Sequence, residues 1–174
     1  MLMFCLKRRA VLPVMATIAS LCLAPAVGAS EPAPILAEQA GITVADGYAR
    51  ATGPTAKAGA AFMAITNASG TDDVLIAARS GFSDRTELHT HVMEDGVARM
   101  VELKDGIPVP DGETVLLERG GLHVMLMGLT GPMEAGADVD LVLVFEQAGE
   151  IALSVPVDLE RGMGMHDHGH DGDG

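Results

Sequence analysis

Two segments in the middle of this chain combine histidine with methionine. The segment ELHTHVMEDGVARM (residues 87–100) has two histidines and two methionines, and LHVMLM (residues 122–127) repeats the combination. Imidazole and thioether groups without a thiolate form a ligand set that suits Cu(I). Calcium or magnesium would require carboxylates, and zinc would be expected to use more histidine, cysteine or carboxylate. The two segments therefore form a candidate site for a soft metal ion.

The first segment predicts a β-hairpin that brings its donors to one face. Asp95-Gly96 is a strong signal for a two-residue turn, and such a turn pairs His91 with Met100 across the ladder. His89 is then a diagonal neighbour of Met100, because alternate residues of a strand share a face. Moving the turn by one residue on each strand would pair His89 with Met100 instead. In both registers the imidazoles and the thioether converge.

The second segment separates core residues from candidate ligands by the same alternation. Val124 and Leu126 share one face, which we expect to be buried, and His123, Met125 and Met127 share the other. A single methionine in a strand usually fills a gap in the core, and a single histidine is usually a surface residue. The prediction of a metal site therefore rests on the combination of these residues and not on any one of them.

The N-terminal residues have the pattern of a secretory signal peptide. A positive cluster at residues 7–9 precedes an apolar stretch over residues 10–26, and the small residues of VGAS follow. This pattern predicts a signal peptide over residues 1–29, cleaved between Ala29 and Ser30. The apolar stretch is short for a membrane span, so we expect no membrane insertion of the mature chain. The protein is predicted to be periplasmic.

Both cysteines, Cys5 and Cys22, lie in the segment predicted to be removed. The mature chain would then form no disulfide and offer no thiolate to a metal, which excludes a blue-copper electron carrier. A lipid anchor on Cys22 is disfavoured because Leu21 is bulky where a lipoprotein signal has a small residue. The mature chain would keep eight basic and 24 acidic residues, a formal charge of −16. Such a surface repels nucleic acid and anionic lipid and favours cations as partners.

The rest of the chain predicts one all-β domain, because short runs rich in Val, Ile and Leu alternate with turn residues at the spacing of a sandwich or barrel. We predict an N-terminal arm over residues 30–40, a β-domain over 41–159 and a disordered tail over 160–174. A closing hairpin is predicted across the turn AGE, and Pro156 indicates an edge or a strand end. The predicted strands are 42–49, 60–67, 73–80, 86–93, 98–103, 114–118, 122–129, 139–147 and 151–159.

The predicted tail, ERGMGMHDHGHDGDG, contains a second set of metal donors. Two methionines precede three histidines that alternate with Asp or Gly: Met163, Met165, His166, His168 and His170. Histidine-rich segments of this kind bind divalent metals, although a terminus that only aids solubility can have the same composition. We favour metal binding.

The positions of His89, Met100 and the triplet HVM (residues 123–125) resemble the His-Met motif of the periplasmic copper chaperones of the PCu(A)C family. Five segments read like sequences of that family: AGAAFMAITN, ELH, MEDGVARM, GIPVPDGETV and GGLHVMLMGL. The resemblance covers most of residues 44–157. The chain departs from the family in two ways, since His91 stands where many members have methionine and the spacing from Met100 to His123 is one residue longer.

The resemblance implies a cupredoxin-like, Greek-key β-barrel or sandwich that binds one Cu(I) through His89, Met100, His123 and Met125. His91 is a further candidate ligand because of its position in the motif. The resemblance also implies delivery of copper to the copper-bearing subunit of cytochrome c oxidase, with a thiol-reducing assembly factor as a second candidate partner. Some members of the family have similar tails, which are proposed there to bind Cu(II).

Two other functions fit the sequence. The protein could be a periplasmic copper buffer or resistance protein that works mainly through its histidine-rich tail. It could also be a structural β-sandwich adaptor in which the His/Met cluster is incidental. An enzyme is not predicted, because the carboxylates lie mostly in predicted turns and no nucleophile stands near a suitable base.

Overall fold

A computed structural model describes residues 33–53, 55–94 and 96–161 of this chain. These residues form β-strands and no helix, so none of them belongs to a helix that could cross a membrane. The prediction of an all-β domain is therefore confirmed. The predicted signal peptide and the tail donors Met163, Met165, His166, His168 and His170 lie outside the described residues.

The described strands are, in chain order, β1 Ile35–Gln39, β2 Ile42–Ala51, β3 Ala58–Asn67, β4 Asp73–Arg79, β5 Ser83–Glu94, β6 Val97–Glu102, β7 Ile107–Val109, β8 Thr114–Leu117, β9 His123–Leu129, β10 Asp138–Phe145 and β11 Gly149–Pro156. All nine predicted strands are present with shifted ends. Strands β1 and β7 were not predicted. Strand β1 lies in the segment predicted to be an N-terminal arm, where it pairs antiparallel with β2.

Two antiparallel sheets pack around one core. The larger sheet has the order β1-β2-β3-β9-β5-β6, with β8 also pairing with β3, and the smaller has the order β11-β10-β4-β7. Val124 and Leu126 of the larger sheet and Leu141 and Leu143 of the smaller sheet belong to this core and are almost completely buried. The alternation that places these residues in the core places their neighbours on the outer faces.

The last hairpin forms as predicted, but its turn is at residues 146–148 and not at AGE, because Gly149 and Glu150 already belong to the last strand. Strands β10 and β11 pair over their whole length, from Asp138 opposite Pro156 to Phe145 opposite Gly149. Strand β11 is an edge strand and ends at Pro156. Proline is tolerated there because an edge strand does not need its N–H for a second ladder.

The hairpin of β5 and β6 has the register that Asp95-Gly96 predicts. His91 lies opposite Met100 and His89 opposite Glu102, so the alternative register does not occur. Gly96 has a φ of +79°, as a two-residue hairpin turn requires. Strand β5 pairs with β9 only as far as His89, and beyond that point its ladder is with β6 alone. The end of the hairpin therefore extends past the larger sheet, and every residue of β6 is exposed.

Candidate metal centre

Three adjacent strands bring the predicted donors to the outer face of the larger sheet. His89 of β5 lies directly opposite His123 of β9, and His91 lies directly opposite Met100 of β6. Because Leu88 and Val124 point into the core, the histidines beside them point outward. We call the donors on this surface the His/Met face: His89, His91, Met100, His123 and Met125.

A cavity of about 680 Å³ opens on this face. Four of the five donors line it, namely His91, Met100, His123 and Met125. The imidazole of His123 at its base is only 2% exposed, whereas Met100 at its rim is 51% exposed. The cavity therefore contains donors at both buried and accessible positions.

His123 is held in one orientation with one nitrogen available. Its Nδ1 donates a hydrogen bond to the carbonyl of Gly121 at 3.0 Å, which leaves the lone pair on Nε2. Burial lowers the pKa of His123, the hydrogen bond to Gly121 opposes this effect, and the neighbouring imidazoles of His91 and His89 add to the lowering. The neutral ring, which is the form that binds a metal, is thereby favoured.

His89 is supported by a carboxylate. Its Nε2 donates to Oε2 of Glu87 at 2.8 Å, and the other oxygen of Glu87 pairs with Arg85 at 2.9 Å. The opposite ring nitrogen, Nδ1 of His89, is buried and has no hydrogen-bond partner. A carboxylate behind a histidine fixes the tautomer and raises the basicity of the other nitrogen. Nδ1 of His89 is therefore prepared to bind a cation.

His91 is part of the same cluster of rings. Its ring centroid lies 5.1 Å from that of His123, and the ring of His89 lies 5.9 Å from His123. Nδ1 of His91 is also buried without a hydrogen-bond partner. Such unpaired buried nitrogens are rare, because an unsatisfied polar group costs about 1–3 kcal/mol. A cation bound to either nitrogen would satisfy it.

Aromatic side chains form the wall behind His123. The rings of Tyr48 and Phe62 lie 5.0 Å apart, and the ring of Phe62 lies 6.1 Å from His123. The guanidinium of Arg161 lies 4.5 Å from the centroid of Tyr48 and pairs with Asp46 at 2.6 Å.

The structure brings together all four primary donors predicted from the sequence, together with His91. Their role as ligands stays a prediction. Among the described residues, no group of three or more His, Cys, Asp or Glu side chains is arranged to hold a metal ion. Two thioether sulfurs belong to the His/Met face as well, and they favour a soft ion over zinc.

Sequence reasoning did not assign a role to Glu87, Tyr48 or Phe62. Glu87 stands two residues before His89, so alternation along the strand places both on one face and could have suggested the pair. Nothing local indicates Tyr48 and Phe62, because β2 and β3 reach the site only through the order of strands in the sheet.

Solved structures of copper-related domains share this fold. The copper-bound PCuAC domain from PmoF2 is 22% identical, with a TM-score of 0.60, and the match covers 71% of this chain and 97% of that domain. The Cu(I) form of DR1885 from Deinococcus radiodurans is 28% identical, with a TM-score of 0.54, over 66% of this chain and 76% of that one. The fold is thus the cupredoxin-like β-sandwich of PCu(A)C domains, as predicted.

Sequence comparison identifies the family. Residues 42–157 match the family model described as "Putative lipoprotein LpqE-like". The relative "Putative lipoprotein Lxx21020" of Leifsonia xyli subsp. xyli is 33% identical over 117 residues, which are 67% of this chain and 69% of the relative. The chain belongs to the LpqE-like family, which is the PCu(A)C family, so the resemblance seen in the sequence is confirmed. PCu(A)C domains are copper-binding, chaperone-like domains.

Proposed function

We propose that this protein is a copper chaperone that binds one Cu(I) on its His/Met face and passes it to another protein. The observation that carries the proposal is the convergence of three imidazoles and two thioethers on one surface, with two buried imidazole nitrogens that have no partner. The ligands proposed are His89, Met100, His123 and Met125, with His91 as an additional donor.

The donor set explains the choice of ion. Neutral imidazoles and thioethers bring no charge, so they suit a soft monovalent ion better than a hard divalent one. The mature chain is predicted to lack cysteine, so the site would hold copper without a thiolate. A recipient that supplies thiolates would bind Cu(I) more strongly and draw the ion from this site.

The proposed recipient is the copper-bearing subunit of cytochrome c oxidase, with a thiol-reducing assembly factor as a second partner. This part of the proposal rests on the family resemblance. The exposed Met100 at the rim of the cavity supports transfer in general, because an incoming thiolate can replace an accessible thioether before the buried ligands are released.

The proposed compartment is the cell envelope, and more narrowly the periplasm. The support is the predicted signal peptide together with the lipoprotein name of the relative from Leifsonia xyli. Mass spectrometry of the exported protein tests the predicted cleavage between Ala29 and Ser30. A chain that begins at Ser30 agrees with cleavage and release, whereas a lipid-modified Cys22 at the N terminus would contradict it.

A Cu(I) titration against a chromophoric chelator tests binding on the His/Met face. We call the matched variant the tail-silenced protein; it has Met163 and Met165 replaced by Leu and His166, His168 and His170 replaced by Ala. We expect this protein to bind one Cu(I), with X-ray absorption reporting mixed sulfur and nitrogen ligation. Ligation by nitrogen and oxygen alone would contradict the proposed ligands, and loss of all binding would favour a tail-based buffer.

A second experiment tests transfer. Copper-loaded protein is mixed with an apo, reduced, soluble fragment of the copper-bearing subunit of the oxidase, the two are separated, and the metal in each is measured. We expect copper to move to the fragment. Copper that stays on this protein across a range of ratios would contradict the chaperone role and leave a copper store.

The tail is proposed to bind Cu(II) as a separate site. Its histidines follow Arg161, which is fixed beside the aromatic wall of the cavity by Asp46 and Tyr48. Electron paramagnetic resonance of the protein with and without residues 162–174 tests this site. A Cu(II) signal with several nitrogen ligands should disappear when the tail is deleted.

A further inference from the structure

We infer that Arg85 is a positioning residue for the proposed copper site, because its guanidinium holds the carboxylate of Glu87 against His89. The guanidinium is anchored in turn by the sulfur of Met127, which acts as a hydrogen-bond acceptor and not as a metal ligand. Arg85 supports the site from outside and does not contact the ion. The inference deepens the proposed function and rests on it, since this support reaches copper only if His89 is a ligand.

The strand register brings these side chains together. Arg85, Glu87 and His89 are alternate residues of β5, so they lie in one row on the outer face of the larger sheet. Arg85 lies directly opposite Met127 of β9, and Glu87 lies opposite Met125. Side chains that are directly opposite on antiparallel strands are close enough to interact. The guanidinium can therefore reach a carboxylate on its own strand and a thioether on the neighbouring strand.

The guanidinium makes two directed contacts. Its Nε donates to Oε1 of Glu87 at 2.9 Å, and its Nη2 donates to the sulfur of Met127 at 3.4 Å. The other oxygen of Glu87, Oε2, accepts from Nε2 of His89 at 2.8 Å. A guanidinium is planar and its N–H groups have fixed directions, so it fixes both partners at once. A continuous chain of contacts thus runs from the sulfur on β9 to the imidazole of His89.

The burial of these side chains shows that Glu87 depends on Arg85 more than the reverse. The side chain of Arg85 is 67% exposed, whereas those of Glu87 and His89 are only 17% and 13% exposed. A mostly buried carboxylate needs a partner for each oxygen, because an unsatisfied polar group is costly. Without the guanidinium, Oε1 of Glu87 would have to turn towards water. That rotation would take Oε2 away from His89.

The role as an anchor also separates Met127 from the proposed ligands, although it shares the outer face with His123 and Met125. Met127 is four residues from His123 along β9, which corresponds to about 13 Å between their backbones. Of the residues that the structure describes, Met125 lines the cavity of the His/Met face and Met127 does not. The sulfur of Met127 is engaged by the guanidinium instead. Met127 therefore orients Arg85.

The positive charge of Arg85 makes the direction of its effect informative. A positive charge near a bound cation repels it, so loss of this charge alone should strengthen Cu(I) binding. Loss of the positioning role should weaken Cu(I) binding, because Glu87 would no longer fix the tautomer of His89 and raise its basicity. The sign of the change in Kd therefore separates the two effects.

Arg85→Gln in the tail-silenced protein is the first test. We expect the Kd for Cu(I) to rise at least threefold, and we expect no further rise when Arg85→Gln is added to Glu87→Gln, because Arg85 acts through Glu87. The matched control is Arg79→Gln, which makes the same change in charge at an exposed pair with Glu150 on the smaller sheet and should leave the Kd within twofold. The melting temperature of each apo variant verifies that it folds. An unchanged or lower Kd in Arg85→Gln would overturn the inference, as would an equal rise with and without Glu87→Gln.

Nitrogen-15 NMR of the apo protein provides a readout that does not depend on copper. At about pH 8, where histidine is neutral, the Nε2–H tautomer of His89 should predominate and should decline in Arg85→Gln. An unchanged tautomer would show that Arg85 does not position Glu87.

X-ray absorption of the Cu(I) form tests the anchor. Met127→Leu, which keeps the volume of the side chain, should leave the sulfur contribution unchanged, whereas Met125→Leu should lower it. A lower sulfur contribution in Met127→Leu would make Met127 a ligand and overturn its role as an anchor. If the tail-silenced parent binds no Cu(I), the proposed function fails and the inference fails with it. If the parent binds Cu(I) but Arg85→Gln changes neither the Kd nor the tautomer, only the inference about Arg85 fails.

Discussion

The carboxylate of Glu87 should tune the copper affinity without touching the metal. It accepts a hydrogen bond from Nε2 of His89, and an ion on Nδ1 would sit on the far side of the same ring. Replacing Glu87 by Gln keeps the shape and an oxygen acceptor but removes the negative charge. We expect Glu87→Gln to weaken Cu(I) binding about tenfold, in line with other supporting carboxylates behind metal-bound histidines.

The magnitude follows from the geometry. The Glu87–His89 hydrogen bond is 2.8 Å long, and with the width of the ring and a metal–nitrogen bond added, the ion would lie about 7 Å from the carboxylate. Two opposite unit charges at that distance attract by about 0.6–2.4 kcal/mol for an effective dielectric constant of about 80 to 20. This range corresponds to about a three- to sixtyfold change in Kd. Both side chains are mostly buried, so solvent screens the attraction only in part.

The assay is a Cu(I) competition titration in the tail-silenced protein at fixed pH and ionic strength. Glu150→Gln is the matched control, because Glu150 pairs with Arg79 on the other sheet and both side chains are exposed. The control makes the same change in total charge and should leave the Kd within about twofold, because exposed charges at long range are screened. An equal loss in both variants would show that only net charge matters. No loss in Glu87→Gln would refute the proposed support of His89.

Three further predictions address the turn, the pH dependence and the sulfur ligands. Gly96 has a φ of +79°, so Gly96→Val should lower the free energy of unfolding by about 1–2 kcal/mol in urea denaturation. Gly81→Ala is the control, because Gly81 lies in open space and has no positive φ. This control should leave the free energy of unfolding unchanged. Burial lowers the pKa of His123, so the unfolded chain takes up a proton more readily than the folded one. The free energy of unfolding of the apo protein should therefore fall as the pH is lowered from about 6.5 towards the pKa of His123 in the folded protein, and it should stay level above about pH 6.5. His123→Gln should flatten this pH dependence. Met100→Leu should reduce the sulfur contribution in X-ray absorption of the Cu(I) form, and an unchanged spectrum would exclude Met100 as a ligand.

Local sequence signals were sufficient for the hairpin and for the division of residues between core and surface. Asp95-Gly96 predicted the hairpin and, with the turn centred on these two residues, the pairing of His91 with Met100. The structure has this register and not the alternative that pairs His89 with Met100. Alternation in β9 separated Val124, which is buried in the core, from Met125 on the outer face. These features depend on residues close together in the chain.

Short or polar strands were harder to predict. Strand β1 has the sequence ILAEQ and β7 has only three residues, so neither shows enough alternation to stand out from a loop. Both form because a longer strand is already present to pair with them: β2 for β1, and β4 for β7. Their presence is a property of the assembled sheets.

The sequence by itself determined which side chains point outward and that they include a Cu(I)-type donor set. Only the tertiary structure decided which of them meet. His89 and His123 are far apart in the chain and become direct partners because β9 lies between β3 and β5 in the sheet. The same strand order places Phe62 behind His123. Strand order depends on how the whole core is buried, and no short stretch of sequence encodes it, because the energy that selects it is shared by residues along the entire chain.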